Sequence, residues 1–196
     1  MTVAAWAAEA RASAAVVEHP WDRAALDWPL TPASVVVEVG GYKGRWALQI
    51  AERYRPRLYV FEPQPWAAAT CREVLGARAT IEDYALGTAD GMRPLAHAGT
   101  DGATLVRGDG PLVAVREIGA AFADLGIETI DLMLMNIEGG EYTLIPHMLR
   151  RGIRPRALMV QRHAHADPGD GALDAALAGY RVRWTYGPVL TAWEDV

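Results

Sequence analysis

The sequence predicts an α/β fold with a doubly wound, mostly parallel central sheet closed by an antiparallel hairpin. Three observations carry this. VVVEV at 35–39 is apolar on both faces, as a strand is when helices cover it on both sides. From there, strand-like and helix-like segments alternate at the spacing of βαβ units. The chain closes with two aromatic strand-like segments, YRVRWTY at 180–186 and PVLTAWE at 188–194, joined as a hairpin through Gly187 and Pro188.

The elements follow in order. The Ala-rich start, TVAAWAAEARASAAVV, has no basic front, and Glu9 and Arg11 interrupt its apolar run. It is read as an N-terminal helix rather than a leader peptide. His19-Pro20 breaks that helix, and a Trp- and Pro-bearing connection over 21–34 leads to the first strand, so residues 1–34 form a lead-in to a domain spanning 35–196. A glycine turn, GGYKG, precedes a helix over 45–54 and the strand RLYVFE at 57–62. A helix over 66–75, a strand ATIEDY at 79–84 and a turn-rich stretch over 87–110 come next. A helix over 117–125 leads to the strand TIDLMLMNI at 129–137, a helix over 141–151, the strand RALMVQ at 156–161 and a helix over 172–178. Pro146 is compatible with the penultimate helix only if that helix starts late, because proline removes one backbone bond and clashes with the preceding turn.

Composition narrows the partners. With 196 residues, 51% of them hydrophobic, the chain has enough material for one well-buried domain. No run approaches the roughly 18 apolar residues of a membrane span, which points to a soluble protein. Net charge is −5, and an acidic chain lacks the broad positive field of a nucleic-acid binder. The one basic cluster, Arg150, Arg151, Arg154 and Arg156, falls where a helix is expected to end, a place where the helix dipole favours cations. The lone Cys71 can form no internal disulfide and fits a cytoplasmic location.

In an open parallel sheet the ligand lies beyond the carboxyl ends of the strands, so the strand-end residues are the ones to read. Gly40, Gly41 and Gly44 follow the first strand, where backbone can approach a ligand closely. Their spacing matches neither the dinucleotide fingerprint nor a phosphate loop, so as a glycine pattern the turn is weak. Glu62 ends the second strand about 20 residues later, where an acidic residue can accept from both hydroxyls of a ribose. Asp83 ends the third, Asn136 and Glu138 follow a central strand, and His163 follows another.

These residues carry a resemblance. EVGGYKG at 38–44, FEP at 61–63, DYALG at 83–87 and NIEGGEY at 136–142 resemble, in order and spacing, the motifs of the FkbM family of S-adenosylmethionine-dependent methyltransferases. Gln161-Arg162-His163 and the aromatic ending at Trp193-Glu194 resemble one branch of it. The resemblance implies a Rossmann-like class I methyltransferase fold with S-adenosyl-L-methionine over the 40–44 turn. Glu38, Gly40, Gly41, Tyr42, Gly44, Glu62, Pro63, Asp83, Tyr84 and Asn136 would form the cofactor wall, with the ribose on Glu62 and the adenine near Asp83. It also implies methyl transfer to a hydroxyl of a small biosynthetic molecule, a natural product or sugar. His163 is then the expected general base, Glu138 its orienting or charge-stabilising partner, and Asn136 an uncharged contact to cofactor or acceptor. Glu141 reads as a first-turn helix carboxylate favoured by the dipole.

Two other readings stay open at this point. His163, His165 and Asp167 share the H-x-H-x-D spacing of binuclear metallohydrolases, although Pro168 stands where a further histidine is expected. Departures from the family pattern at Tyr42, Leu134 and Arg162 would suit a homologue that binds cofactor without turnover. Trp6, Trp21 and Trp28 are candidates for a cover over the cofactor or for a homodimer contact, and Trp184, Tyr186 and Trp193 for an acceptor pocket or for core.

Overall fold

The computed structural model describes residues 1–16, 20–105, 109–187 and 190–196. The chain begins with helices α1 (Val3–Ala14) and α2 (Pro20–Leu26), then β1 (Val35–Val39), α3 (Arg45–Tyr54), β2 (Arg57–Phe61), α4 (Pro65–Leu75) and β3 (Thr80–Glu82). Three strands follow, β4 (Ala85–Gly87), β5 (Gly91–Pro94) and β6 (Leu112–Glu117). After them come α5 (Ile118–Asp124), β7 (Leu132–Met135), α6 (Glu141–Arg150), β8 (Ala157–Gln161), α7 (Ala172–Ala176), β9 (Tyr180–Tyr186) and β10 (Leu190–Asp195). The main sheet has seven strands in the order β3-β2-β1-β7-β8-β10-β9. Its first five are parallel, and β10 runs antiparallel between β8 and β9. Strand order reverses at β1, so the crevice expected of doubly wound sheets opens over β1 and β7.

All five residues of β1 are buried, and the two-residue period sorts them onto two faces. Val35, Val37 and Val39 join Phe61, Met133, Met135, Ile145 and Val160 in one core, under α5 and α6. Val36 joins Leu58, Val60, Leu132, Met159 and Ala192 in the other, with the buried faces of α1, α3 and α4 above them. Glu38 shares the parity of Val36 and is therefore carried toward the α1–α3 side while only 3% exposed.

The lead-in is packed against this second face. Trp6 lies against Trp66 of α4 with ring centroids 4.4 Å apart, and the Tyr42 ring meets Trp66 edge-on at 5.4 Å. Lys43 pairs with Glu9, and the Arg45 and Gln49 side chains donate to carbonyls near the end of α1. Trp28 is 4% exposed, donates to the Ala25 carbonyl and lies under the Arg183 guanidinium, so it is core rather than a surface for a second copy. His19, the expected break, and the Pro188 hairpin joint lie outside the described residues, as does the Trp21 side chain.

The sequence expectation differs from the structure in the middle of the chain. The expected strand over 79–84 is shorter, ending at Glu82 as β3, and the strand that follows it, β4, lies outside the main sheet, pairing parallel with β6, which also pairs antiparallel with β5. The stretch expected to be only turns thus supplies part of a second, three-stranded sheet. Pro146 sits inside α6, which starts at Glu141 and not late. It is buried in the core, where packing offsets the missing backbone bond.

Helix α5 is capped by Glu117, whose carboxylate accepts from the Ala120 N–H at 2.8 Å and meets His147 Nε2 at 2.8 Å. Burial works against its charge, but His147, the backbone donors and Arg151 outweigh it and bring its pKa down to about 2. A depressed carboxylate stabilises the fold fully above its unfolded pKa and loses that contribution as pH falls through the folded one. Glu117→Gln is therefore expected to cost about 1 kcal/mol at pH 7. In paired urea melts the difference from wild type should shrink below pH 4.5 and vanish near pH 2; a pH-independent difference would show that the carboxylate charge plays no part.

Candidate functional site

The carboxyl edge of the sheet carries a cavity of about 600 Å³. Its floor is Gly40 and Tyr42 after β1, Glu62 and Pro63 after β2, and Asn136 and Glu138 after β7. The small sheet and residues of the 95–105 segment, among them Leu95 and Asp101, form the opposite wall. A second cavity of about 310 Å³ opens on the α1–α3 side and contains Glu38, Gly41 and Lys43. The two share Gly40, Tyr42, Asn136 and Gln161, so the turn after β1 separates them.

The turn is built on glycine for two reasons. Gly40 has φ +89°, and a Cβ there would lie 1.9 Å from the Asn136 carbonyl oxygen. Close approach of β1 and β7 beyond their last paired residues thus excludes any side chain. Gly41 has no room either, since its Cβ would lie 2.3 Å from the Val60 side chain. Tyr42 itself has φ +46°, a conformation costly for a residue with a Cβ. Its N–H donates to Glu62 Oε2 at 2.7 Å, and its carbonyl accepts from the Cys71 thiol.

Glu62 is 4% exposed, and its second oxygen accepts from the Gln64 N–H at 2.8 Å. Each oxygen keeps one lone-pair site, and the residue lines the cavity. Burial pushes its pKa up against these bonds. Glu38 is raised further, by burial first and by the Glu62 charge second. Glu38 Oε2 and Asn136 Oδ1 are buried with no hydrogen-bond partner among the described residues. Buried acceptors of this kind call for donors that the chain itself does not supply.

Across the floor, Glu138 has φ +52° and the neighbouring Gly139 +103°. The Glu138 carbonyl accepts from the Thr104 hydroxyl at 2.7 Å, and its carboxylate lies 2.9 Å from His163 Nε2. His163 is 8% exposed and does not line the cavity; Glu138 stands between them. Its other ring nitrogen is 3.0 Å from Glu141 Oε1, which also accepts the His163 N–H at 2.8 Å. Burial opposes the imidazolium, but Glu141 and Glu138 outweigh it and hold the pKa above the ordinary histidine range.

Other expected site residues lie elsewhere. Asp83 is not on the cavity wall; its side chain is 59% exposed and paired with Arg72 at 3.1 Å. The strand ends one residue before it, and the chain then turns away to form β4. Tyr84 is core, packed against Phe61 with Arg116 over its ring. Gly44 starts α3 beneath the turn, at van der Waals distance from Cys71 and Leu75. The metallohydrolase arrangement does not form: both ring nitrogens of His163 face carboxylates, and among the described residues no three His, Cys, Asp or Glu are grouped to hold a metal ion. Arg162 pairs with Asp174 at 3.0 Å, and Trp193 is core. Among the described residues no helix is long and apolar enough to cross a membrane. The residue that sequence reasoning undervalued is Glu141, which is fully buried.

No family model matches the chain. It is 29% identical over 140 residues to the 2-O-methyltransferase NoeI of Sinorhizobium fredii (strain NBRC 101917 / NGR234). The match takes in 58% of this chain and 57% of NoeI, so the chain spans little more than half of that relative. Among solved structures, an rRNA methylase from Streptococcus thermophilus superposes with a TM-score of 0.52 at 14% identity, covering 92% of this chain and 99% of the other. The N-methyltransferase NodS from Bradyrhizobium japonicum WM9 gives a TM-score of 0.46 at 11% identity, covering 84% and 87%. The fold is the Rossmann-like α/β fold of class I methyltransferases.

Proposed function

We propose that this chain is an S-adenosyl-L-methionine-dependent methyltransferase that methylates a hydroxyl of a small biosynthetic molecule, a natural product or sugar. The observation that carries the reading is Glu62: a buried carboxylate at the end of β2, pinned by the Tyr42 and Gln64 N–H groups with acceptor sites left over, on the wall of a cavity large enough for a nucleoside. The residues fit the cofactor. Glu62 suits the ribose hydroxyls, and the unpartnered Asn136 Oδ1, on the same cavity wall, suits an ammonium group. The acidic wall of Glu62, Asp101 and Glu138 suits a cationic sulfonium. The similarity to a 2-O-methyltransferase and the FkbM-like motifs support oxygen as the acceptor atom.

When bound, S-adenosylmethionine supplies an electrophilic methyl group. The chain's part is to hold the acceptor oxygen in line with that methyl and to receive the hydroxyl proton. Of the cavity-wall carboxylates, Glu62 is engaged with the ribose on this reading, and Glu138, next to Asn136 and backed by His163, is the one assigned to take it; Asn136 offers an uncharged contact beside it. His163, expected as the base from sequence, acts on this reading through Glu138.

Calorimetry with S-adenosylmethionine and its demethylated product tests the reading. Both should bind in the micromolar range usual for enzyme ligands. His163→Ala should keep that affinity within about threefold while lowering turnover by at least about a hundredfold on whichever hydroxyl acceptor a panel identifies. No heat from either nucleoside at millimolar concentration would end the proposal, and binding with no methylated product across the panel would mark a binding protein without turnover.

A further inference from the structure

The 136–140 turn is held in a conformation its sequence disfavours. A left-handed backbone at a residue with a side chain costs roughly 1–2 kcal/mol, and Glu138 adopts one. Such a residue persists where its surroundings over-determine it, most often at a site of function. Three separate elements grip this one. Thr104 binds its carbonyl, His163 its carboxylate, and Glu141 binds the next N–H, that of Gly139, at 2.9 Å.

Glu141 ties these together. Its side chain is wholly buried and accepts three hydrogen bonds, from the Gly139 N–H, the His163 N–H and His163 Nδ1. A carboxylate so placed carries a large desolvation cost unless donors surround it. The Gly139 N–H and the His163 N–H reach different oxygens, so an amide would turn its NH₂ toward one of them, whereas an ionised carboxylate accepts both and the ring Nδ1 as well. An acceptor at Nδ1 makes that nitrogen a donor, which leaves Nε2 as the edge facing Glu138 at 2.9 Å. Two acceptors cannot sit at that distance without a proton between them, and the two carboxylates flanking the ring favour the imidazolium, which puts that proton on Nε2 and makes both nitrogens donors. The other groups about the ring are Gln161, whose side-chain amide is 3.3 Å from Nε2 and turns its oxygen to an Nε2–H, and His165, edge-on at 5.8 Å; the neighbouring Arg162 is turned to Asp174.

We propose that Glu141 is a positioning residue: it fixes His163 as a double donor, and His163 in turn aims the Glu138 carboxylate into the cavity as the proton acceptor for the methyl acceptor's hydroxyl. This rests on the function proposed above only for what Glu138 does there. The clamp itself is a property of the chain without ligands.

The test is nitrogen-15 spectroscopy of the histidine rings at pH 6–7, with the His163 signals identified by their absence in His163→Gln. In the wild type both ring nitrogens should be protonated, and the Nδ1 proton should lie downfield of those of the other histidines. In Glu141→Gln that downfield signal should disappear. Turnover should fall at least about tenfold while S-adenosylmethionine affinity stays within about threefold, and Glu141→Asp should recover part of the rate. A wild-type His163 bearing its only proton on Nε2 overturns the proposal without any variant, so a Glu141→Gln chain that fails to fold does not shield it. An unchanged ring spectrum in a folded Glu141→Gln also overturns it, as does a rate loss matched by an equal loss of affinity. Failure of the nucleoside to bind would instead remove the function, because the ring spectra are read with no ligand present.

Discussion

Glu62→Ala is expected to abolish nucleoside binding and to weaken the fold at the same time. The carboxylate satisfies the Tyr42 and Gln64 N–H groups. Removing it leaves two donors without partners at a buried position, at about 1–3 kcal/mol each, partly offset by loss of a carboxylate whose burial already disfavours its charge. Affinity for S-adenosylmethionine should drop by more than about a hundredfold, since two charge-assisted hydrogen bonds are lost. Calorimetry and a urea melt on the same preparation separate the two effects. A folded Glu62→Ala protein that binds the nucleoside as tightly as wild type would contradict the placement of the ribose. Glu62→Gln is the companion variant: it keeps one acceptor oxygen but turns an amide NH₂ toward a backbone N–H, so it should lose stability despite its near-identical shape.

Gly40→Ala should be the most destabilising single-methyl change in the turn. Two penalties combine. A left-handed φ of +89° costs a residue with a Cβ roughly 1–2 kcal/mol, and the new carbon would sit 1.9 Å from the Asn136 carbonyl oxygen, so β1 and β7 must part at their ends. A loss of more than about 3 kcal/mol is expected, which for a chain of this size lowers the melting temperature by roughly 6–12 °C. Gly152→Ala supplies the control. Gly152 also has a left-handed φ, +78°, but nothing lies within 4 Å of the added carbon, so it carries the backbone penalty alone. Equal melting temperatures for the two variants would show that the contact with Asn136 relaxes at no cost. Cavity shape depends on that contact, so nucleoside affinity should fall in Gly40→Ala and hold in Gly152→Ala.

The parts of this fold that the sequence declares are those where one physical rule dominates. The buried strands β1, β7 and β8 are mostly Val, Leu and Met, broken only by Glu38 in β1 and by Ala157 and Gln161 at the ends of β8, and the helices between them are set off by glycine and proline. The small sheet is harder to see. β4 has three residues and β5 four, too few to show a period, and LVAVRE at 112–117 abuts a helix start that masks its alternation. In the site, Gly40, Tyr42, Glu62, Pro63, Asn136 and Glu138 are legible because strand ends in a parallel sheet must face the crevice. That same rule misplaced Asp83. The main chain leaves the sheet one residue earlier, and the side chain follows α4 to Arg72. Glu141 was out of reach for another reason. A carboxylate in the first turn of a helix has a sufficient local explanation, and only the arrival of His163 from 22 positions later shows that it is also buried and bonded across elements.

The tilted contact of Trp6 with Trp66, with the Tyr42 ring against the latter, gives the molecule an optical gauge of its own. Indoles whose centres are 4.4 Å apart absorb as a coupled pair, and their combined near-ultraviolet dichroism depends on the angle between them. Tyr42 belongs both to this trio and to the cavity floor, so a ligand that shifts its ring alters the surroundings of the pair. Occupancy can then be followed as a change in that band, without any dye or radiolabel.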